Sequence, residues 1–201
     1  MCGIIGINLG HELGHRQQAF ERLLGELLLL SSLENHFLPY HNRGHHANVA
    51  TPKDPATARK NEWLFVFWLR SQIGSYLQAW QIEIQRMQIL KRRWWHYSNK
   101  MIQYSFAQLT LLASIYFTTN LLMLCYFIIA AIIGIILLET VNYIEHYGLI
   151  RKQNQYGNYE VVKRHHSWNS NHLLGRAILF ELSRHSEHHY KPDQHYRGYP
   201  E

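Results

Sequence analysis

Cysteine is nearly missing from this sequence: Cys2 and Cys125 are the only two in 201 residues. Two thiols build neither a disulfide framework nor a thiolate zinc site, so an oxidising compartment is not indicated. Cys125 lies in an apolar run and is expected to pack there. A cleavable leader is not recognisable, because Met1 to Leu9 lacks a basic start and runs directly into His11. Low aromatic content, the mark of a disordered chain, does not apply either, since 13% of the residues are Phe, Trp or Tyr. No internal repeat or low-complexity tract breaks the chain, which is read as one domain over residues 1–201.

The most informative absence is of charge. From Met101 to Leu138 there is no Asp, Glu, Lys or Arg, although the mean hydropathy of the whole chain is only −0.28. One helix of that stretch would run roughly 57 Å, against a hydrocarbon core of about 30 Å. The stretch is therefore read as a transmembrane hairpin over residues 101–138 that turns near Thr118-Thr119-Asn120. A buried helix pair in a soluble core is the alternative. Lys91, Arg92, Arg93 and Lys100 precede the hairpin, and Arg151, Lys152, Lys163 and Arg164 follow it. By the positive-inside rule both of its ends face the cytoplasm. The formal net charge of +6 is then a membrane-side feature; no nucleic-acid-binding motif accompanies it, and no nucleic-acid partner is expected.

Other segments are less decisive. MCGIIGINLGHELGHR reads as a helix. Leu23 to Tyr40 is a second candidate span, if Glu26 and Glu34 face protein, headgroups or water. Thr51-Pro52-Lys53-Asp54-Pro55 is a turn whose second proline can start a helix at Pro55 or Ala56. Glu62 to Gln85 follows, with Trp63, Trp68 and Trp80 suiting an interfacial helix or the boundary of a span. Arg151 to Ser167 is polar and loop-like, His172 to Ser186 has helical apolar spacing, and the tail from Lys191 is polar and aromatic. The fold class is all-α: a polytopic membrane helical bundle with its histidines on the cytoplasmic side.

Histidine is abundant, with 15 in the chain, and nine fall in tight groups. His11 and His15 share one helix face in HELGH. His41, His45 and His46 form HNRGHH, with Gly44 allowing a close bend. His146 stands in NYIEHYGL at the end of the second hairpin arm, and His185, His188 and His189 form HSEHH. Each group lies at or beyond the cytoplasmic end of an apolar segment, so the topology alone lets them converge. Neutral imidazole is the commonest side-chain ligand of transition metals, and four to five rings per ion would serve two ions. HELGH also matches the HExxH zinc-protease signature, with Glu12 as general base. That reading needs a third ligand, for which Glu139 or Glu145 is a candidate, and leaves HNRGHH and HSEHH without a role.

Taken together, HELGHR, HNRGHHANVATPKDPATAR, NYIEHYGL, SWNSNH and RHSEHH resemble the integral-membrane alkane monooxygenases, relatives of the membrane fatty-acid hydroxylases and desaturases. The resemblance runs from about Gly3 to His189. It implies a non-haem site of two Fe ions, with no haem or flavin in this chain, that hydroxylates the terminal carbon of medium- or long-chain alkanes with O2. It also implies a bacterial inner (plasma) membrane location, with electrons delivered by rubredoxin from an NAD(P)H-dependent reductase. No rubredoxin is fused here, since no CxxC pair exists. An alkane offers acid–base chemistry no purchase, so the metal carries the oxidation while the protein positions the chain and excludes water.

By motif, the metal ligands are His11, His15, His41, His45, His46, His146, His185, His188 and His189, with His172 of SWNSNH in reserve. Glu12 and Glu145 are candidates for offsetting the metal charge and fixing ring tautomers; the plainer role for Glu12 is a pair with Arg16. His165 and His166 are expected in a loop or behind the ligands, and His36, His96 and His195 at the surface or membrane interface. Ile115, Phe117, Leu122, Tyr126 and Ile133 are expected to line the substrate path. Lys91, Arg92 and Arg93 serve either topology or the steering of an acidic partner. Tyr40 stands where the family usually has Glu and is expected to cost the site a carboxylate. Arg16 replaces the commoner Lys. Family members are longer and carry spanning helices ahead of the first histidine motif, so a partial domain is expected; a non-catalytic metal-binding fragment remains the third reading.

Overall fold

The computed structural model describes residues 5–170, 172 and 185–190. Among them every regular element is helical, apart from one isolated bridge between Gln153 and Tyr159. In chain order these are α1 (Ile7–Gly14), α2 (Ala19–Leu30), α3 (Phe37–Tyr40), a π turn (His41–His45), α4 (His46–Asn48), α5 (Leu64–Ile89), α6 (Lys100–Thr118), α7 (Leu121–His146), a 3-10 turn (Arg164–His166) and α8 (His185–Tyr190). Residues 173–184, where helical spacing was expected, and the tail from residue 191 lie outside the described residues.

Helices α1 and α2 form a tight antiparallel pair because glycines meet at their crossing. A Cβ built on Gly25 would lie 2.9 Å from the Gly10 carbonyl oxygen and 3.2 Å from the Gly14 nitrogen, both backbone atoms that no rotamer change can move. Gly25→Ala is therefore expected to force α1 from α2 and to cost about 1–3 kcal/mol. Thermal unfolding in detergent should show a lower Tm, with metal uptake falling in parallel because α1 bears His11 and His15.

The stretch Leu23–Tyr40 is not one helix, which corrects the expectation of a second span there. After Leu30 the chain turns: Leu33 takes a left-handed φ of 58°, and the Glu34 N–H returns to the Leu29 carbonyl at 2.9 Å, as in a Schellman turn. The 12 residues of α2 extend only about 18 Å. No helix starts at Pro55 or Ala56 either. The Asp54 carboxylate accepts from the Ala56 N–H at 3.3 Å and the Thr57 hydroxyl at 2.6 Å, and this local bonding competes with a helical turn.

The charge-free stretch divides at Thr119–Asn120. Thr118 and Thr119 hydroxyls bond back to the Ser114 and Ile115 carbonyls, both at 2.6 Å, and Asn120 caps α7 by accepting from the Met123 N–H at 3.0 Å. Among the described residues α7 is the one helix long and apolar enough to cross a bilayer; the 19-residue α6 carries Gln103, Gln108 and Thr110. Only 11% of the most apolar window of α7 is buried, which fits lipid contact and not the core of a soluble protein. Its buried positions, Ala131, Gly134, Glu139, Asn142, Glu145 and His146, form one stripe that turns polar toward His146. Cys125, expected to pack, is exposed.

Helix α5 links the ends of this pair. At its start the Trp68 indole donates to Thr140 Oγ1 at 3.1 Å, and the Tyr143 hydroxyl donates to the Glu62 carbonyl at 2.6 Å. At its far end buried Glu83 accepts from the Lys100 N–H at 2.8 Å. Its interior face also packs on α3, where Tyr40, Ala56, Ala79, Met101 and Tyr104 form a small core. These contacts hold α3 and the π turn that follows it beside α7.

Candidate metal centre

Two local devices aim the rings. In an α-helix, residues five apart point roughly 140° away from each other; the i→i+5 repeat of a π turn brings them back to one face. HNRGH folds as such a turn, and His41 and His46 meet with their Nε2 atoms 3.0 Å apart. Gly44 lets this wide turn press on α5, since a Cβ there would come within 2.8 Å of Gln78 Oε1 and 3.2 Å of Ile82 Cδ1. In HSEHH an ordinary α-helical turn gives the same result with one residue fewer, and His185 and His189 meet at 2.8 Å.

The nine rings gather into two adjacent groups. His11, His15, His41, His46 and His188 form one; His45, His146, His185 and His189 form the other. Each residue offers one nitrogen, and within a group these all lie within 4.8 Å of one another. His188 Nε2 lies 3.0 Å from that of His11 and 3.3 Å from that of His41. In the second group His45 meets His189 at 3.1 Å, and His146 meets His185 at 3.1 Å. HNRGHH, the π turn together with the first residue of α4, thus gives two rings to the first group and one to the second, while α8 does the reverse.

This donor set fits metal ions. Nitrogens bound about 2.0–2.1 Å from one ion at tetrahedral or octahedral angles lie roughly 2.8–3.4 Å apart, the range of the contacts seen. Hydrogen bonding among the rings does not satisfy them, because a neutral imidazole has one N–H, and buried Nδ1 atoms of His46 and His189 find no partner. Burial, followed by repulsion from neighbouring rings, holds His11, His41, His185, His188 and His189 well below the usual imidazole range and takes His46 to about 2. These six rings are neutral near pH 7, the form that coordinates a metal.

A small pocket touches both groups. Asn8, His11, Phe37, His41, Leu138, Val141, Asn142, Glu145 and His185 line it, so its polar end is histidine and its wall is apolar. The residues expected to line such a path lie elsewhere: Phe117, Leu122, Tyr126 and Ile133 are exposed on the outside of α6 and α7, and Ile115 is half-buried. An all-round apolar helix does not declare its inner face.

The fatty acid desaturase family model matches residues 1–201. The chain belongs to that family. It is 42% identical to alkane 1-monooxygenase 1 of Alcanivorax borkumensis and 39% identical to alkane 1-monooxygenase of Ectopseudomonas oleovorans, each over 96% of this chain and 48% of the relative. It is also 27% identical to the xylene/toluene monooxygenase hydroxylase component XylM of Pseudomonas putida, over 94% of this chain and 50% of the relative. The chain spans about half the length of the curated relatives it matches.

The desaturase-family centre has a support that sequence reading missed. His45 Nδ1 sits 2.9 Å from Asp54 Oδ2, and the Tyr40 hydroxyl donates to Asp54 Oδ1 at 2.5 Å. Burial alone raises the Asp54 carboxyl, but His45, Thr57 and Tyr40 outweigh it and bring it to about 2. A carboxylate behind a ligating ring fixes its tautomer. Tyr40 itself is bonded into the network around the Asp54 carboxylate. The signal lay in TPKDP, where Asp54 reads only as a turn residue.

The remaining candidates divide. Glu145 Oε2 lies 3.3 Å from His185 Nδ1, beside the four-histidine group. Glu12 pairs with Arg16 at 3.4 Å. Among the described residues neither Glu139 nor Glu145 joins the five-histidine group; His11 and His15 of HELGH share it with His41, His46 and His188, so the other histidine motifs are part of the same site. His172 is exposed and in neither group. His165 and His166 sit with Glu160 in a loop, where Lys163 engages Glu160 at 2.7 Å and the Lys163 N–H donates to His166 Nδ1 at 3.0 Å. His96 is half-buried and accepts from the Ser98 N–H; His195 lies outside the described residues.

His36 corrects the expectation of a surface ring. It is buried against Ser75 at 3.3 Å and Glu34 at 3.4 Å. Burial pushes the Glu34 carboxyl up to about 8, against a hydrogen bond from Gln72 and with help from Glu139. A carboxyl raised above its ordinary 4.5 supports the fold fully below that value and loses this support as pH rises through about 8. Glu34→Gln, which stays uncharged, is expected to be more stable than the parent by about 1–3 kcal/mol at pH 8 and not at pH 4. Paired thermal melts at the two pH values check it.

Proposed function

We propose that this chain carries the metal centre of a membrane di-iron monooxygenase that hydroxylates the terminal carbon of medium- or long-chain alkanes to 1-alkanols. The single observation that carries this is the convergence of nine imidazoles, seven of them buried, into neighbouring groups of five and four. The names of the relatives supply the substrate class. His11, His15, His41, His46 and His188 would hold one iron ion, and His45, His146, His185 and His189 the other. Bound iron supplies the O2 reduction and the C–H oxidation, for which no side chain is strong enough.

The chain's own residues do the rest. Phe37, Leu138 and Val141 give an uncharged chain end an apolar wall next to His11, His41 and His185, and they exclude water from the place where oxidation happens. Asp54 holds the proton on His45 Nδ1 so that Nε2 faces the group. Glu145 offers a carboxylate to His185 and offsets charge. In this reading α6 and α7 cross the bacterial inner membrane and the histidine end of α7 faces the cytoplasm, with the basic residues on either side of the hairpin in support. An alkane dissolved in lipid then reaches the pocket along α7. Electrons come from rubredoxin and its NAD(P)H-dependent reductase, and exposed Lys91, Arg92 and Arg93 suit an acidic carrier.

After anaerobic Fe(II) reconstitution, metal analysis is expected to find about two irons per chain, one for each histidine group. With rubredoxin, reductase and NAD(P)H, gas chromatography of an octane-to-hexadecane panel should find 1-alkanols. Failure to take up iron overturns the proposal. Iron without product supports the second reading, a non-catalytic metal-binding fragment.

A further inference from the structure

SWNSNH is the motif left without work once His172 proves exposed and outside both groups. Its neighbourhood makes contacts of a particular kind. The Trp168 N–H donates to the Glu145 carbonyl at 2.8 Å, and the Trp168 indole donates to the Tyr147 carbonyl at 3.1 Å. These bonds flank His146 on both sides. From the next residue, Asn169 Oδ1 accepts from the Ser186 N–H at 2.8 Å, in the first turn of α8. Arg164 forms an ion pair with Glu187, and its guanidinium stacks 4.8 Å from the Tyr190 ring centre. One short segment therefore fastens the end of α7 to α8.

We propose that Arg164, Trp168 and Asn169 are positioning residues for the four-histidine group, holding His146 and the pair His185 and His189 at a common distance. Three of that group's four ligands stand on the two elements the segment joins. The five-histidine group takes only His188 from α8; its other four rings come from α1, the π turn and α4. The segment thus acts on one centre far more than on the other. Ser186 has a fixed need for an acceptor because its N–H is an orphan donor of a helix start, and either Asn or Asp satisfies it. The inference rests on the two-ion reading above.

The test is anaerobic titration of the purified full chain in detergent with Co(II), following the visible bands of bound cobalt and competing with a chelator. The unaltered chain is expected to bind in two resolved steps. In Asn169→Ala one step should weaken roughly 10–100-fold, the usual loss when a partner behind a ligand is removed, while the other moves by less than about threefold. Arg164→Ala should weaken the same step, and Asn169→Asp should restore it. Circular dichroism of each variant checks that the helices remain, and the Asp variant separates positioning from general damage. If both steps weaken equally, if neither moves, or if Asp fails to restore the step, the positioning role is wrong although the metal centre stands. If the unaltered chain takes up no cobalt, both the centre and this role fall.

Discussion

A His45→Ala chain is expected to lose the ion of the four-histidine group and all hydroxylation. Three imidazoles remain there, and the substitution also leaves Asp54, with no side-chain exposure, facing a space where its N–H partner stood. The loss in affinity should exceed the roughly 10–100-fold that follows removal of a partner behind a ligand. Metal analysis should fall from about two ions to about one, and the 1-alkanol peak should vanish. His188→Ala is expected to abolish turnover as well, because His188 touches both His11 and His41. Hydroxylation retained in either variant would remove that residue from the ligand set.

Asp54→Ala is expected to have the second largest effect. Tyr40, Thr57, His45 and the Ala56 N–H all converge on this carboxylate. Removing it leaves several buried donors unpaired, each costing about 1–3 kcal/mol. It also frees His45 to rotate or to adopt the tautomer that points a proton at the metal. The variant should melt lower by several kcal/mol and bind iron about 10–100-fold more weakly. Asp54→Asn separates the two roles: it keeps the volume and one acceptor oxygen, so the fold should recover more than the metal affinity does. Chelator competition and thermal melts on the same samples measure both, and equal recovery of the two would assign Asp54 a purely structural part.

How far the sequence declares these features depends on the chemistry of the residues concerned. Nine imidazoles in short runs are conspicuous because structure alone seldom demands them, and Thr118-Thr119-Asn120 marks a reversal because its side chains bond locally to backbone. Asp54 is hidden by the same logic: between two prolines a carboxylate reads as part of a turn, and only the folded chain brings His45 and Tyr40 to it. The end of α2 carries no Gly or Pro, and Leu33 adopts a left-handed φ that its type does not announce. The sorting of His41, His45 and His46 depends on a π turn, which the usual helical period of 3.6 does not contain. On α7, apolar on nearly every face, periodicity gives no inner side and does not single out Leu138 and Val141 of the pocket wall.

The crossed sharing of rings between HNRGHH and HSEHH has a mechanical consequence. Each segment grips both centres, as the two jaws of a caliper share one frame, and among the described residues no side chain belongs to both groups. The spacing between the two groups is then set by backbone and not by a shared side chain. A tilt of HNRGHH therefore moves rings of both groups, whereas a shift of α8 falls mainly on the four-histidine group, which takes two of its rings.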